Sequence, residues 1–174
     1  NRETEQFSAS SGRASYTETE KGITVKANGR TFVFSKKDGQ LKDVSVNNRK
    51  ISFANGPRFI GARRADRSLD QFYNHDDEKA KAKDRTYSEF TDAAVFTKLD
   101  VKEEGGNLIL TANYKLGNLD KAQWTIHPDG MATLDYTYNF SGVVDLMGIC
   151  FDYPEEQVLS KRWLGAGPYR VWQN

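Results

Sequence analysis

Three pairs of adjacent carboxylates, Asp76-Asp77, Glu103-Glu104 and Glu155-Glu156, are the first residues here that could carry acid–base chemistry. Two-carboxylate hydrolysis of a glycoside needs carboxyls facing each other across a sugar, about 5–9 Å apart. Neighbours on a strand point to opposite faces, so adjacent pairs read as surface charge. His75 precedes Asp76, and the other histidine, His127, sits in a His-Pro-Asp-Gly turn. Two histidines without C-x-x-C or H-x-x-x-H spacing make no zinc site, and the calcium-loop spacing is missing. Cys150 lies in an apolar run, Ile149-Cys150-Phe151, and reads as a buried, inert thiol. Gly165-Ala166-Gly167 runs into Pro168, which is not the opening of a dinucleotide-binding helix. We therefore expect no metal and no cofactor in this chain, and assign no catalytic residue.

One segment stands apart, Trp163-Leu164-Gly165-Ala166-Gly167-Pro168-Tyr169. Two glycines and a proline among aromatics predict a strand ending in a tight bend with close backbone approach. Such aromatics could stack on sugar faces, fill a core, or meet a neighbouring domain. Burial in a contact is the preferred reading. It makes Trp163, Gly165, Gly167, Pro168 and Tyr169 a structural or interface motif.

The elements that would position these residues must come from a chain of 174 residues, enough for one domain with a real core. Lys and Arg number 25 against 24 Asp and Glu, so charge offers no case for nucleic acid or an anionic membrane surface. No stretch approaches the ~20 apolar residues of a spanning helix. The single cysteine excludes an internal disulfide framework. Aromatics, at 12%, are ample for a β-rich core. A soluble, folded chain is expected. Residues 1–20 are polar and read as a linker or the tail of a preceding segment. With Asn at position 1 and Val171-Trp172 near the end, the working expectation is a portion of a larger polypeptide.

Alternation with a period of two dominates residues 21–174. Ile23, Val25 and Ala27 alternate with polar neighbours, and Asn28-Gly29 signals a type I′ hairpin into residues 31–34. Lys37-Asp38-Gly39 turns the chain again before Leu41, Val44 and Val46. Asn47-Asn48 and short strands over 50–53 and 57–62 complete a first meander. A second strand-rich half follows: 95–102, a loop over 103–107, then Leu108, Leu110, Ala112 and Tyr114, then Ala122, Trp124 and Ile126. His127-Pro128-Asp129-Gly130 is a turn leading into the longest expected strand, 131–140, with Leu134, Tyr136, Tyr138 and Phe140 on one face. Strands over 148–151 and 158–164 end the series. Between the halves, residues 66–92 form a charged insertion, with a short helix expected within 76–90 or a loop in its place. Ten or eleven short strands predict an all-β, antiparallel two-sheet sandwich.

Trp163-Leu164-Gly165-x-Gly167-Pro168 resembles the Trp-x-Gly-x-Gly-Pro motif in the C-terminal β-sandwich, the small-chain domain, of family 2 β-galactosidases. Met147-Gly148 through Phe151 and residues 158–163 resemble the paired strands leading into it. Trp124-Thr125-Ile126 with Asp129-Gly130 looks like that domain's strand–turn–strand signature. Phe32-Val33-Phe34 with Gly39-Gln40-Leu41 looks like its phenylalanine and Gly-x-Leu hairpin. The sequence departs from the family at Gly61, where Arg is usual, at Asp66-Arg67, and after Pro168, where Tyr169-Arg170 replaces Glu-Asn. These departures mark a divergent branch.

The resemblance implies a truncated portion of a galactose-mutarotase-type supersandwich that takes no catalytic part itself. The parent, a glycoside hydrolase of carbohydrate metabolism, would hydrolyse β-galactosides with retention, through two glutamates on a separate barrel. The partners implied are the parent's remaining domains and a β-galactoside-type carbohydrate, with no nucleic acid and no membrane. The sandwich would pack on the barrel, border the sugar pocket and share the parent's periplasmic or secreted location. Two other functions are open: a stand-alone carbohydrate-binding module, and a sugar epimerase, which would need a paired acid and base that His75 and His127 do not offer.

Overall fold

The computed structural model of the chain describes residues 12–64, 87–91, 93–144 and 146–160. Among these, period-two patterning resolves into twelve strands: β1 (Ser15–Glu18), β2 (Gly22–Ala27), β3 (Arg30–Ser35), β4 (Leu41–Val46), β5 (Arg49–Ile51), β6 (Ala54–Arg64), β7 (Tyr87–Thr91), β8 (Val95–Glu104), β9 (Asn107–Lys115), β10 (Leu119–Ile126), β11 (Ala132–Tyr138) and β12 (Leu146–Asp152). Every pairing between them is antiparallel.

Three hairpins close through two residues that both have positive φ, the requirement of a type I′ turn. They are Asn28-Gly29 (43° and 72°), Asn47-Asn48 (49° and 65°) and Gly105-Gly106 (59° and 85°). Asparagine and glycine enter this region at little cost, and its twist matches that of the flanking strands.

One sheet runs β1-β2-β3-β4-β6-β12, with β5 added to β4 and β7 to β6; the other runs β11-β10-β9-β8. The two pack face to face as a sandwich. Ile23, Val25, Phe32, Phe34, Leu41 and Val44 of the first sheet meet Leu108, Leu110, Trp124 and Ile126 of the second in one buried cluster. Phe34 and Trp124 touch edge to face, with ring centroids 6.0 Å apart. Fully burying side chains of this size is worth about 1.5–3 kcal/mol each, so this cluster is the main source of stability.

The two ends of the sandwich are tied differently. At one end the β3–β4 turn folds over β8 and β9. A Cβ on Gly39 would fall 2.6 Å from the Phe96 ring and 2.8 Å from the Ala112 methyl, and Gly39 has φ of +72°. Only glycine suits both the conformation and the space. At the other end Arg30 and Asn28 donate to the main-chain oxygen of Asp129 at 2.7 and 2.9 Å. The expected His127–Gly130 turn therefore also clamps the sheets together.

Three expectations are corrected. Composition made residues 1–20 a polar linker or the tail of a preceding segment; 1–11 lie outside the described residues, yet β1 pairs with β2 inside that span, in register from Ser15↔Lys26 to Glu18↔Ile23. An open edge of β2 outweighs the polar composition. Among the described residues the longest strand is β6, with 11 residues, while β11 has 7 and stops at Tyr138. Residues 76–86, where a short helix or a loop is expected, lie outside the described residues; 87–90, the end of that span, lie in β7, which pairs with β6, and aromatic and threonine residues favour the sheet edge available there. Of the strand expected over 158–164, residues 158–160 form none and 161–164 lie outside the described residues; the chain makes a 3₁₀ turn at Glu155–Gln157 just before.

Candidate functional site

The sheet alternation that builds the core also sorts the opposite faces of β4, β6 and β12. Phe59 points inward, and Ile149 pairs with it, so Arg58, its partner Cys150 and Asp152 share the outer face. The register of β12 slips between Cys150 and Asp152. Pro57, which has no N–H for the ladder, lies opposite that slip, and Asn55 turns to φ of +54°. This irregularity swings Asn55 towards Asp152.

A continuous polar network results. The Lys42 ammonium donates to Asp38 Oδ2 (2.8 Å), Gln40 Oε1 (2.8 Å) and Asn55 Oδ1 (3.2 Å), which uses all three of its protons. Asn55 Nδ2 donates to Asp152 Oδ2 at 2.7 Å, and Arg58 Nη2 donates to Asp152 Oδ1 at 2.6 Å. The same Nη2 lies 3.8 Å from Cys150 Sγ. Cys150 is half-buried, not fully buried as its apolar run suggests, because the outer face is open beside it.

The electrostatics follow from these contacts. Hydrogen bonds from Arg58 and then Asn55 hold the Asp152 carboxyl below the usual carboxylate range. Burial pushes Asp38 up, but hydrogen bonds from Lys42, the Gln40 amide and Ser35 outweigh it and bring its pKa below the ordinary value. The Asp152 contact in turn raises Arg58. Both carboxylates are fixed in the charged form, so neither is poised to donate a proton near neutral pH. What the network does is hold polar groups rigid beside an open depression of about 550 Å³, whose rim includes Lys50, Asp152 and the half-exposed ring of Tyr153. A fixed carboxylate, an ammonium and an aromatic face can accept, donate and stack, which suits hydroxyl-rich ligands.

The residues singled out from sequence fare differently. Trp163, Gly165, Gly167, Pro168 and Tyr169 lie outside the described residues, as do His75, Asp76 and Asp77. Glu103 pairs with Arg13 at 2.6 Å and Glu104 with Lys102 at 2.7 Å, both at the exposed end of β8. Glu155 and Glu156 sit exposed in the 3₁₀ turn. His127 is half-buried in its turn, with Nε2 3.3 Å from Thr133 Oγ1. Among the described residues no three His, Cys, Asp or Glu side chains converge. Sequence reading missed Lys42, Asn55, Arg58 and Asp152. Asn55 and Asp152 are 97 positions apart, so no spacing rule links them; the one local hint was Asn55-Gly56-Pro57, a poor strand sequence inside a strand.

Fold and network together define an antiparallel two-sheet β-sandwich with a rigid polar patch on one outer face. No protein-family model matches the sequence, and no curated protein matches it. Among the described residues, no helix is long and apolar enough to cross a membrane.

Proposed function

We propose that this chain serves as the non-catalytic sandwich domain of a β-galactosidase-like glycoside hydrolase of family 2. In this reading the retaining hydrolysis belongs to two glutamates on a separate barrel, and the sandwich packs against that barrel near its sugar pocket. The supporting observation is where the signature residues fall. Gly39 takes its positive φ with Leu41 buried two residues on, Trp124 lies in the core of β10, and Asp129-Gly130 closes the β10–β11 turn. The sequence order that resembles the family thus coincides with the corners of a sandwich.

The test is hydrolysis of an aryl β-galactoside by the purified chain and by the complete polypeptide encoded around it. The chain alone should be inactive and the complete polypeptide active. An inactive complete polypeptide with no barrel would overturn the proposal, as would turnover by the chain that disappears in Glu103→Gln or Glu155→Gln. The Tyr153 depression favours a second reading, a stand-alone carbohydrate-binding module. Binding of neutral galactosides by the isolated chain, lost in Tyr153→Ala, would support that reading.

A further inference from the structure

A second depression, of about 500 Å³, lies where the β2–β3 hairpin, the β4–β5 turn and the start of β1 meet. Its lining has three cationic side chains, Arg13, Lys26 and Arg30, and three amides, Asn28, Asn47 and Asn48, with no acidic residue. Arg13 is partly neutralised by Glu103 at 2.6 Å. Lys26 and Arg30 form no ion pair among the described residues. Arg30 gives one Nη1 hydrogen bond to the Asp129 main-chain oxygen, which fixes the guanidinium without cancelling its charge.

Strand register adds hydroxyls beside these charges. Ser15 pairs with Lys26 and Lys26 with Thr31, so hydroxyl, ammonium and hydroxyl stand side by side on the outer face. Neighbouring strands are about 4.8 Å apart, a spacing at which one oxyanion can engage donors from two strands. The amides come from two type I′ turns whose backbones are set by positive φ; Asn28 Nδ2 already gives one proton to the Asp129 main-chain oxygen, which leaves its second proton and the amides of Asn47 and Asn48 for a ligand.

From these features we infer that this depression binds an oxyanion, and that its ligand is an acidic saccharide carrying a carboxylate or a sulfate ester. The cations and amides carry the oxyanion part; the saccharide part rests on the carbohydrate function proposed above. The inferred site is separate from the Asp152 network, which presents carboxylates and would repel such a ligand.

Titration of the intact chain at low ionic strength tests this, since screening weakens exposed charge contacts. The probes are digalacturonate, galactose 6-sulfate, inorganic sulfate and lactose, read by calorimetry and by amide chemical shifts. One or both acidic sugars should shift the amides of residues 26–31 and 47–48, and whichever binds identifies the carboxylate or the sulfate ester as the ligand group. Lactose should leave those amides unmoved. Lys26→Gln, at an exposed position without an ion pair among the described residues, should weaken binding about tenfold, the loss of one charge-assisted contact, with an unchanged melting temperature. Silence from both acidic sugars, binding of inorganic sulfate only, equal shifts with lactose, or a Lys26→Gln variant of undiminished affinity would each overturn the inference. The family 2 reading fails on a different assay, the β-galactosidase activity of the complete polypeptide, in which this depression has no part.

Discussion

Arg30 Nη1 lies 2.7 Å from the main-chain oxygen of Asp129, across the open end of the sandwich and 99 positions away in sequence. Asn28 Nδ2 reaches the same oxygen at 2.9 Å. A Cβ on Gly130 would sit 2.6 Å from Arg30 Nη1, and Gly130 has φ of +83°, so the turn glycine also makes room for the clamp. A side chain from one sheet thereby holds the turn of the other.

Arg30→Ala should remove a half-buried, charge-assisted bond and cost about 1.5–3 kcal/mol. Asn28 retains its contact with the same oxygen, so the fold should survive. Urea denaturation checks this: a midpoint within error of wild type would show that the clamp contributes nothing.

Gly39→Ala and Gly105→Ala form a matched pair, both at positive φ. The Gly105 Cβ position is open, with nothing within 4 Å, whereas that of Gly39 runs into Phe96 and Ala112. Strain alone should cost Gly105→Ala about 1–2 kcal/mol. Overpacking adds about 1–3 kcal/mol at Gly39. Thermal melts of the two variants should rank in that order; equal losses would mean that the β3–β4 turn does not press on β8 and β9 as described.

Trp124 is buried in the core, yet its indole N–H finds no hydrogen-bond acceptor among the described residues. A buried donor without a partner costs about 1–3 kcal/mol, so removing it offsets part of the lost packing. Trp124→Phe should therefore lie within about 1.5 kcal/mol of wild type. Phe34→Ala, which opens a cavity beside the same ring, should cost about 3–5 kcal/mol. Chemical denaturation of both variants gives the comparison, and a large loss for Trp124→Phe would point to a partner for that N–H.

Stability should fall at both extremes of pH, for opposite reasons. Asp38 and Asp152 have folded-state pKa values below their ordinary value of 3.8, so the unfolded chain holds more protons near that pH. Their contribution is complete above the ordinary value and is lost as pH falls through the lower, folded values. Burial, and then the charge of Asp38, pushes the Tyr114 hydroxyl up to about 12 from 10.0. Its contribution is complete below pH 10 and disappears as pH rises through about 12. Asp152→Asn should flatten the acid limb and Tyr114→Phe the alkaline limb in melts recorded across pH. Unchanged limbs in both variants would refute the assignment.

Much of the architecture was legible one strand at a time. Ile23, Val25, Leu108, Leu110, Trp124 and Ile126 declare their inward face by alternation alone, because a strand sends successive side chains to opposite sides. Asn28-Gly29 and Gly105-Gly106 mark turns because few residues accept positive φ. The pairing of these strands into an eight-stranded and a four-stranded sheet depended on tertiary structure. So did the recruitment of polar residues 15–18 as an edge strand and of residues 87–91 beside β6, since an open ladder can outweigh weak local preference. The polar network was decided there entirely. Asn55, Arg58 and Asp152 meet only because β6 and β12 run antiparallel with a slipped register, and hydrogen bonds between residues 97 and 94 positions apart leave no periodic trace in the chain. Sequence determines which face of a strand is dry; which polar groups meet on the wet face depends on register, and register is set by the packing of the whole sandwich.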